Sequence, residues 1–470
     1  MPPFYTVPNI KIQKYFLLAL SRKDKTNSLK KTISFKEINK LALPAMLAGI
    51  AEPLLSMADT AFVGHLPVLA KESLAAVGLV GVFLSMLIWI LGQTRSAIST
   101  IVSQYLGANS IDKIKDLPAQ VIFSVIALAF LLIVITYPLA PFIFKLYNAD
   151  DILLDLSVQY YRIRIFGLPF TLLTFAVFGT FRGLQNTFYP MLTAIIGASV
   201  NIILDYLLIF GFNDYIPAMQ VEGAAYASVI SQIIMAILAI VFLYKKTNIR
   251  LKLQLPFNHE MKNLSKMVFN LFIRTIALNV ALYFGSAFAT KYGKESIAAY
   301  TIAINIWFFF AFVIDGYSGA GNILSGKLFG EKSFIKLKNL GKQLTNYAVV
   351  LGLAIALISG VFYYSIGMLF INDTTVLNKF YSIFWIVLLM QPLNGIAFIY
   401  DGIFKGLGLM KYLRNVLLIA TFLGFIPILL FTDYLGWELY GIWTAFTVWM
   451  LIRGTVLLNK FKHLSIFNGE

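Results

Sequence analysis

The chain has 470 residues, of which 59% are hydrophobic and only 13% are charged, and its mean hydropathy is +0.79. Soluble domains average about 45–50% apolar and about 25% charged residues, so this composition excludes an ordinary soluble domain. The absence of cysteine excludes disulfides and thiolate chemistry, and the formal net charge of +16 indicates either nucleic acid or a membrane surface as partner.

Twelve apolar stretches follow one another along the chain, each long enough to cross a bilayer, which takes about 20 helical residues. Only helices or closed barrels satisfy the backbone in lipid, and these stretches are too long for barrel strands. We therefore predict an all-α integral membrane protein with twelve transmembrane helices. The predicted spans lie roughly at 41–65, 75–106, 118–146, 156–184, 189–212, 219–244, 265–290, 297–328, 341–371, 378–404, 411–432 and 438–458.

The placement of charge favours a membrane over nucleic acid. Basic residues gather in the N-terminal tail and at 245–266 and 327–342, which twelve spans place on one side, whereas loops on the other side carry Asp150 and Asp373. This is the positive-inside pattern. We predict a multi-pass protein of the cell (inner or plasma) membrane with both termini cytoplasmic, surrounded by membrane lipids and binding no nucleic acid.

The two halves of the chain repeat one another. The segment Lys71–Ala76 reappears as Lys294–Ala299, and the same offset links further pairs over more than a hundred residues. Six spans per half is an even number, so the repeats are parallel, as in alternating-access transporters. The further pairs are Gly107 and Gly330, Pro169 and Pro392, Gly179 and Gly402, Phe181 and Phe404, Gly183 and Gly406, and Leu184 and Leu407.

The predicted organisation is two six-helix lobes with short cytoplasmic extensions. Its parts are a basic tail at 1–35, an N-terminal lobe at 36–244, a linker at 245–264, a C-terminal lobe at 265–460 and a tail at 461–470.

One group of polar residues shares a depth in the first half. Asp59, Asp205 and Ser228 lie about 10–14 Å below the predicted outer edge, at about 1.5 Å rise per residue. Asn201 precedes Asp205 by four residues and shares its helix face. Such an oxygen set could hold Na⁺ at Asp59, Asn201 and Asp205, or a proton. The alternative is that Asp59 only caps or pairs within the bundle.

The second half lacks this group. At the repeat-equivalent positions of Asp59, Asn201 and Asp205 the chain has Leu282, Gly424 and Ile428. A scaffold that needed these acids for folding would have reason to keep them in both halves. Their restriction to one half indicates a function of that lobe.

Other charged residues are predicted inside the spans, where charge is costly. Glu52 and Arg95 share a depth on consecutive spans, which indicates an ion pair. Arg274, Asp315 and Asp401 lie in the inner halves of spans 7, 8 and 10. They form either a neutralised pair inside the lobe or a second site for coupling or substrate binding.

Several segments resemble the DinF-like branch of the multidrug and toxic compound extrusion (MATE) transporters, over about residues 35–460. The segment AEPLLSMADTAFVGH at 51–65 resembles the first helix of that branch. Four further segments resemble other parts of that branch: FRGLQNT at 181–187, NIILDY at 201–206, EGAAYAS at 222–228 and Asp315-Gly316.

The resemblance implies a V-shaped two-lobe fold that exports organic cations or amphipathic drugs by alternating access, driven by inward H⁺ or Na⁺. It implies that Asp59 is the main coupling residue, that Asn201 and Asp205 are fifth-helix ligands, and that Ser228 replaces a sixth-helix Thr. No acid occurs in the outer half of span 7, where the Na⁺-coupled NorM-like branch has one. We therefore expect coupling to H⁺ rather than Na⁺. We also expect no cofactor beyond the coupling ion, and a monomer.

Three alternatives remain open. A lipid-linked glycan flippase of similar architecture needs a cationic cleft, and Arg162 and Arg164 near the outer end of span 4 are consistent with one. A membrane-embedded enzyme is less favoured, because the three histidines (His65, His259 and His463) lie near span ends, in loops or in the tail, and no nucleophile motif appears. A passive channel would differ from a transporter in lacking gradient-driven, saturable efflux.

Overall fold

The computed structural model of the chain describes residues 32–66, 69–147, 149–212, 215 and 217–467, without the side chains of residues 51–58, 60 and 70. Every regular element within these ranges is helical, which confirms the all-α prediction. Most of the predicted tail 1–35 lies outside the described residues, and so does the side chain of Glu52.

The first half is built from long helices that follow the predicted spans. They are α1 (Phe35–Gly64), α2 (Ala70–Leu91), α3 (Thr94–Gly107), α4 (Leu117–Leu146), α5 (Asp151–Arg164), α6 (Leu168–Gly183), α7 (Phe188–Phe210) and α8 (Gln220–Lys246).

The second half repeats this order. Its helices are α9 (Glu260–Lys291), α10 (Lys294–Gly330), α11 (Phe334–Val361), the short α12 (Tyr363–Met368), α13 (Thr374–Leu389), α14 (Gln391–Gly406), α15 (Met410–Ile419), a π-helical turn at Ala420–Phe425, α16 (Ile426–Tyr434) and α17 (Glu438–Lys462).

Among the described residues, ten helical segments are long and apolar enough to cross a membrane, and α13 with α14 forms a further span bent by 49°. Together with the 30-residue helix α1 they account for the twelve predicted spans. Large apolar side chains such as Val134, Leu357 and Leu423 are 70–74% exposed on the outside of the bundle. Such exposure fits a surface that lies in lipid, where apolar side chains need no burial against protein.

Several predicted spans are interrupted where the sequence predicts continuous helices, and three of these interruptions lie beside a glycine or a proline. Between α2 and α3, a methyl at Gly92 would lie 2.9 Å from the Phe175 ring, so the interruption lies where that ring leaves little room for a side chain. Pro169 and Pro392 lack the amide hydrogen that a continuing helix needs, and α6 and α14 begin beside them. Because these prolines occupy equivalent positions, the helix is interrupted at the same place in both halves, and the bend reaches 49° in the second half.

The repeat is visible as a pseudo-twofold axis between α3 and α10. The Oγ of Ser99 donates a hydrogen bond at 3.4 Å to Oδ1 of Asn322, a residue 223 positions further along the chain. Eight residues further along each helix, the backbones come into contact. A methyl at Gly107 would lie 2.0 Å from a carbonyl oxygen of α10, and a methyl at Gly330 would lie 1.9 Å from a carbonyl oxygen of α3. The two helices therefore touch backbone to backbone, and equivalent residues make reciprocal contacts.

Equivalent glycines also allow α6 and α14 to pack closely against α3 and α10. A methyl at Gly179 on α6 would lie 2.4 Å from the Arg95 carbonyl oxygen on α3. Its counterpart at Gly402 on α14 would lie 2.1 Å from the Ser318 carbonyl oxygen on α10. This close packing brings the ends of α6 and α14 against the axis helices, which places their last side chains at the boundary between the halves.

Helix α1 contributes to both halves. Near its start, Ile38, Leu41 and Ala42 belong to the hydrophobic core formed with α10, α11 and α14. Near its end, Val63 belongs to the core of the first half. The later part of α1 lies against α7, and this contact carries the polar residues described next.

Candidate functional site

The acidic residues of the first half meet across the contact between α1 and α7. The Nδ2 of Asn201 donates hydrogen bonds to Oδ1 of Asp59 at 3.2 Å and to Oδ2 of Asp205 at 2.5 Å. One amide therefore bridges two carboxylates. Asp59 is 9% exposed, Asn201 4% and Asp205 0%, so water does little to screen the two acids from each other.

Two hydroxyl groups from α8 complete the group. The Oγ of Ser228 donates to Oδ2 of Asp59 at 3.4 Å, and the Oγ of Ser231 lies 3.4 Å from Oδ1 of Asn201. Helix α8 comes this close because it has a glycine at the contact: a methyl at Gly223 would lie 2.5 Å from the Leu208 carbonyl oxygen of α7. The structure thus brings together all four predicted residues of the first group.

A cleft of about 720 Å³ lies beside this group and between the halves. Asp59, Asn201 and Ser231 line it from the first half, and Asn279 and Asn305 line it from the second. Asp205 is not among its lining residues. The group therefore has one carboxylate at the cleft wall and a second one behind it, joined through Asn201.

The basic residues near the outer end of span 4 separate in the structure. Arg164 lines the cleft together with Tyr160, whereas Arg162 is exposed and lies 5.3 Å from the centre of the Tyr137 ring. Of the two arginines that keep the flippase alternative open, only Arg164 faces the cleft.

The charged residues of the second half form a compact ion-pair network. Oδ1 of Asp401 lies 2.5 Å from an Nη of Arg274, and Oδ2 lies 2.7 Å from Nζ of Lys405. All three side chains are at most 16% exposed. The predicted proximity of Arg274 and Asp401 is therefore seen, with Lys405 as a further partner that depth alone did not indicate.

Asp315 and Arg95 line a smaller polar cavity on the pseudo-twofold axis. Within the described side chains, Asp315 lies within 4 Å of no basic group, so it stands apart from the Arg274–Asp401 pair. Arg95 stacks on Phe175, with its guanidinium carbon 4.9 Å from the ring centre. The predicted pairing of Arg95 with Glu52 falls outside the described side chains.

Among the residues of the cleft wall that sequence reasoning missed are Ser231, Gln232 and Tyr160. Ser231 and Gln232 follow Ser228 by three and four residues and so lie on the same face of α8. That spacing was available from the sequence. Tyr160 carried no comparable signal, because a tyrosine in an apolar span has no distinguishing neighbour.

The donor set fits a small cation or a proton. Five oxygen-bearing side chains converge, and Oδ1 of Asp205 is buried without a hydrogen-bond partner among the described residues. With Nδ2 of Asn201 between the carboxylates, the amide NH₂ lies where Na⁺ would have to bind. A rotation of that amide by 180° would present Oδ1 instead, so Asp59, Asn201 and Asp205 could hold Na⁺ only in the rotated form.

Among the described residues, no three or more His, Cys, Asp or Glu side chains lie together so that they could hold a metal ion. His65 contacts the Ala61 carbonyl oxygen of its own helix, and His259 contacts Tyr105. Both histidines lie at helix ends, and neither is among the residues that line the cleft.

Known proteins resemble this chain over most of its length. The MatE family model matches residues 44–207 and 271–430, one block in each half. Protein DETOXIFICATION 42 of Arabidopsis thaliana is 28% identical over 89% of this chain and 90% of its own length. The DNA damage-inducible protein F of Escherichia coli (strain K12) is 24% identical over 91% of this chain and 92% of its own length.

The fold is also found among solved structures. A crystal structure of MATE in the bent conformation superimposes with a TM-score of 0.84 at 20% sequence identity, covering 91% of this chain and 94% of that one. At this identity the likeness concerns the fold alone.

Proposed function

The chain belongs to the MatE family, whose members are multi-pass membrane transporters and not enzymes, and we propose that it is a cation-coupled antiporter. It exports amphipathic organic compounds, organic cations among them, by alternating access. The substrate enters the cleft between the halves, and the coupling cation binds at Asp59 and Asp205.

The observation that supports this proposal is the position of Asp59. Its carboxylate is part of the cleft wall and, through Asn201, part of the buried pair with Asp205. A cation that neutralises the pair therefore changes the charge and the hydrogen bonds of the surface that a substrate touches. A ligand shifts a conformational equilibrium only by its difference in affinity between two states, and this shared wall provides such a difference.

The available gradients are large enough for export. Moving one charge through 100 mV supplies about 2.3 kcal/mol. A proton gradient adds about 1.4 kcal/mol for each pH unit. One proton driven by both would support a concentration ratio of a few hundredfold for a neutral substrate, since about 1.4 kcal/mol corresponds to a factor of ten. For a monovalent organic cation the exchange moves no net charge, so the pH gradient alone supports about a tenfold ratio for each pH unit.

The arrangement of the site favours H⁺ over Na⁺. A proton can be shared between the two acids while Nδ2 of Asn201 stays between them, whereas Na⁺ requires the amide to rotate. The second half has Leu282, Gly424 and Ile428 in place of the three residues, so coupling belongs to the first half.

The distribution of basic loops supports an orientation in the inner or plasma membrane with both termini in the cytoplasm. In that orientation α3 and α10 close the cytoplasmic end of the bundle, and the coupling site lies toward the outside. A single chain contains both halves of the cleft, which supports a monomer as the proposed functional unit.

The test is efflux of ethidium, a fluorescent organic cation, from proteoliposomes that contain the full chain. A pH gradient and a Na⁺ gradient are imposed separately. Proton-coupled antiport predicts efflux with the pH gradient alone, whereas efflux with the Na⁺ gradient alone would assign the site to Na⁺. Efflux that is indifferent to both gradients would contradict antiport and favour a passive channel.

The matched variants are Asp59→Asn and Asp155→Asn, of which the second removes an exposed carboxylate on α5 outside the cleft. We expect Asp59→Asn to abolish gradient-driven efflux while the protein still inserts and folds, and Asp155→Asn to behave as wild type. Normal efflux by a well-expressed Asp59→Asn protein would refute the assigned coupling residue.

A further inference from the structure

A second, smaller cavity lies on the pseudo-twofold axis below the cleft. Its volume is about 180 Å³, and we call it the axial chamber. It lies level with the hydrogen bond between Ser99 and Asn322. Toward the predicted cytoplasmic end, α3 and α10 close it off by the backbone contacts at Gly107 and Gly330. Among its polar lining residues are Arg95, Arg182, Lys405, Asp315, Ser99 and Asn322.

Two of the cations that line the axial chamber are related by the repeat. Arg182 and Lys405 occupy equivalent positions of the repeat, in the segments Phe181-Arg182-Gly183 and Phe404-Lys405-Gly406. Each is the residue before the glycine that ends α6 or α14. Both line the chamber, so the two halves present equivalent cations to one space.

Positive charge exceeds negative charge around this space. Arg95, Arg182 and Lys405 line it against the single acid Asp315 within the described side chains. Lys405 pairs with Asp401, but that carboxylate is shared with Arg274 and cannot neutralise both. If Glu52 balanced Arg95 as the sequence predicts, the remaining groups would still carry an excess of positive charge.

The arginine head groups have unused hydrogen-bonding capacity. The Nε atoms of Arg95 and Arg182 are buried without a hydrogen-bond partner among the described residues. A guanidinium presents a planar set of N–H donors that matches a carboxylate with two parallel hydrogen bonds. The hydroxyl of Ser99 and the amide of Asn322 add neutral polar groups to the same lining.

The axial chamber adjoins the substrate cleft, because Arg95 lines both. Above Arg95 the cleft wall is apolar and includes Trp89, Phe175, Phe178 and Met235. Its described charged residues are Asp59, Arg95 and Arg164, so once Asp59 is neutralised the described charged side chains of the cleft are both positive. Such a surface repels an organic cation and attracts an anion.

We propose that the axial chamber binds the carboxylate of an amphipathic carboxylic acid, whose apolar part lies in the cleft above. This extends the substrate class of the proposed antiporter to organic anions, and it rests on the proposed function only in taking the cleft as the substrate path. The carboxylate pairs with Arg182 and Arg95, and Lys405 adds positive charge from the opposite half.

The test is equilibrium binding of 4-phenylbutyrate to the full chain in lipid nanodiscs, measured by isothermal titration calorimetry without any gradient. The neutral 4-phenylbutanol and sodium chloride are titrated for comparison. We expect saturable binding of 4-phenylbutyrate that is about tenfold or more tighter than that of the alcohol, since hydrogen bonds to charged groups are the strong ones. Equal affinity for the alcohol, or binding of chloride without 4-phenylbutyrate, would overturn the proposal.

Variants locate the binding in the axial chamber. Arg182→Gln should weaken binding about tenfold or more. Arg182→Lys should retain it within a few fold, because the repeat already has lysine at the equivalent position 405. The matched control is Arg162→Gln, which alters an exposed arginine whose guanidinium lies over the Tyr137 ring. This variant should bind as wild type.

If Arg182→Gln fails to fold, Lys405→Gln gives the same measurement from the opposite half, with a smaller loss expected. Undiminished binding in the folded variants would remove the chamber as the site. Binding needs no gradient, so a protein that binds 4-phenylbutyrate but shows no gradient-driven efflux would contradict antiport alone. A protein that drives ethidium efflux but binds no carboxylate would contradict the anion site alone.

Discussion

A methyl group added at Gly330 tests whether the contact between α3 and α10 closes the predicted cytoplasmic end. Gly330 is the last residue of α10, and its added Cβ would lie 1.9 Å from the Gln104 carbonyl oxygen of α3. That oxygen belongs to the backbone and cannot swing away as a side chain could. Real Cβ atoms essentially never come within 3.0 Å of such a neighbour, so the two helices must separate by about 1 Å.

The structure also sets the size of the effect. Forcing an extra methyl into a packed contact costs about 1–3 kcal/mol. That cost falls on the conformation in which α3 and α10 touch and is absent once they part. Gly330→Ala should therefore shift the equilibrium about 5- to 150-fold toward the conformation that is open at this end. Gly107→Ala should act in the same direction, because its contact is reciprocal.

The assay is the distance between spin labels at Lys115→Cys and Lys338→Cys, measured by double electron–electron resonance. The two positions are equivalent in the repeat and exposed, and a chain without cysteine needs no background substitutions. We expect Gly330→Ala to populate a longer distance. The control is Gly360→Ala, since a methyl there meets nothing within 4 Å. An unchanged distance distribution in Gly330→Ala would refute the reasoning.

Two further predictions concern single contacts. Ser228→Ala removes a long hydrogen bond of 3.4 Å to Asp59 and should weaken cation-driven efflux by about fivefold or less, measured as the initial rate in proteoliposomes. A larger loss would mean that the hydroxyl binds the cation directly. Arg274→Leu removes the 2.5 Å partner of the buried Asp401 but leaves Lys405 at 2.7 Å. It should therefore destabilise the protein by less than the cost of a fully broken buried pair, about 3–5 kcal/mol, read as a lowered thermal unfolding midpoint, while Arg162→Leu should not.

The sequence alone predicted the depth in the membrane at which the residues of the candidate site lie. Counting residues from the predicted span ends placed Asp59, Asp205 and Ser228 at one level, and a spacing of four put Asn201 on the face of Asp205. Depth does not say which helices are neighbours. The bridge through Nδ2 of Asn201 became visible only when α1 was found packed against α7.

The same limit explains the charged residues of the second half. Their depth indicated that Arg274 and Asp401 could meet, yet it did not reveal Lys405 as a second partner of Asp401. It also grouped Asp315 with them, although Asp315 faces the axial chamber. Whether two side chains at one depth meet depends on how each helix is rotated about its axis and on the order of the helices around the bundle. Neither can be predicted from the sequence of one span alone.

The sequence by itself determined the class of the protein, the number of its spans and their duplication. The bilayer requires about 20 apolar residues per helix, and a repeat survives as matching residues at one offset. The tertiary structure decided where spans break, which acids share an amide, and how Arg182 and Lys405 come to face one space. These features depend on contacts between segments far apart in the chain, such as Ser99 with Asn322, and hydropathy along one segment contains no information about them.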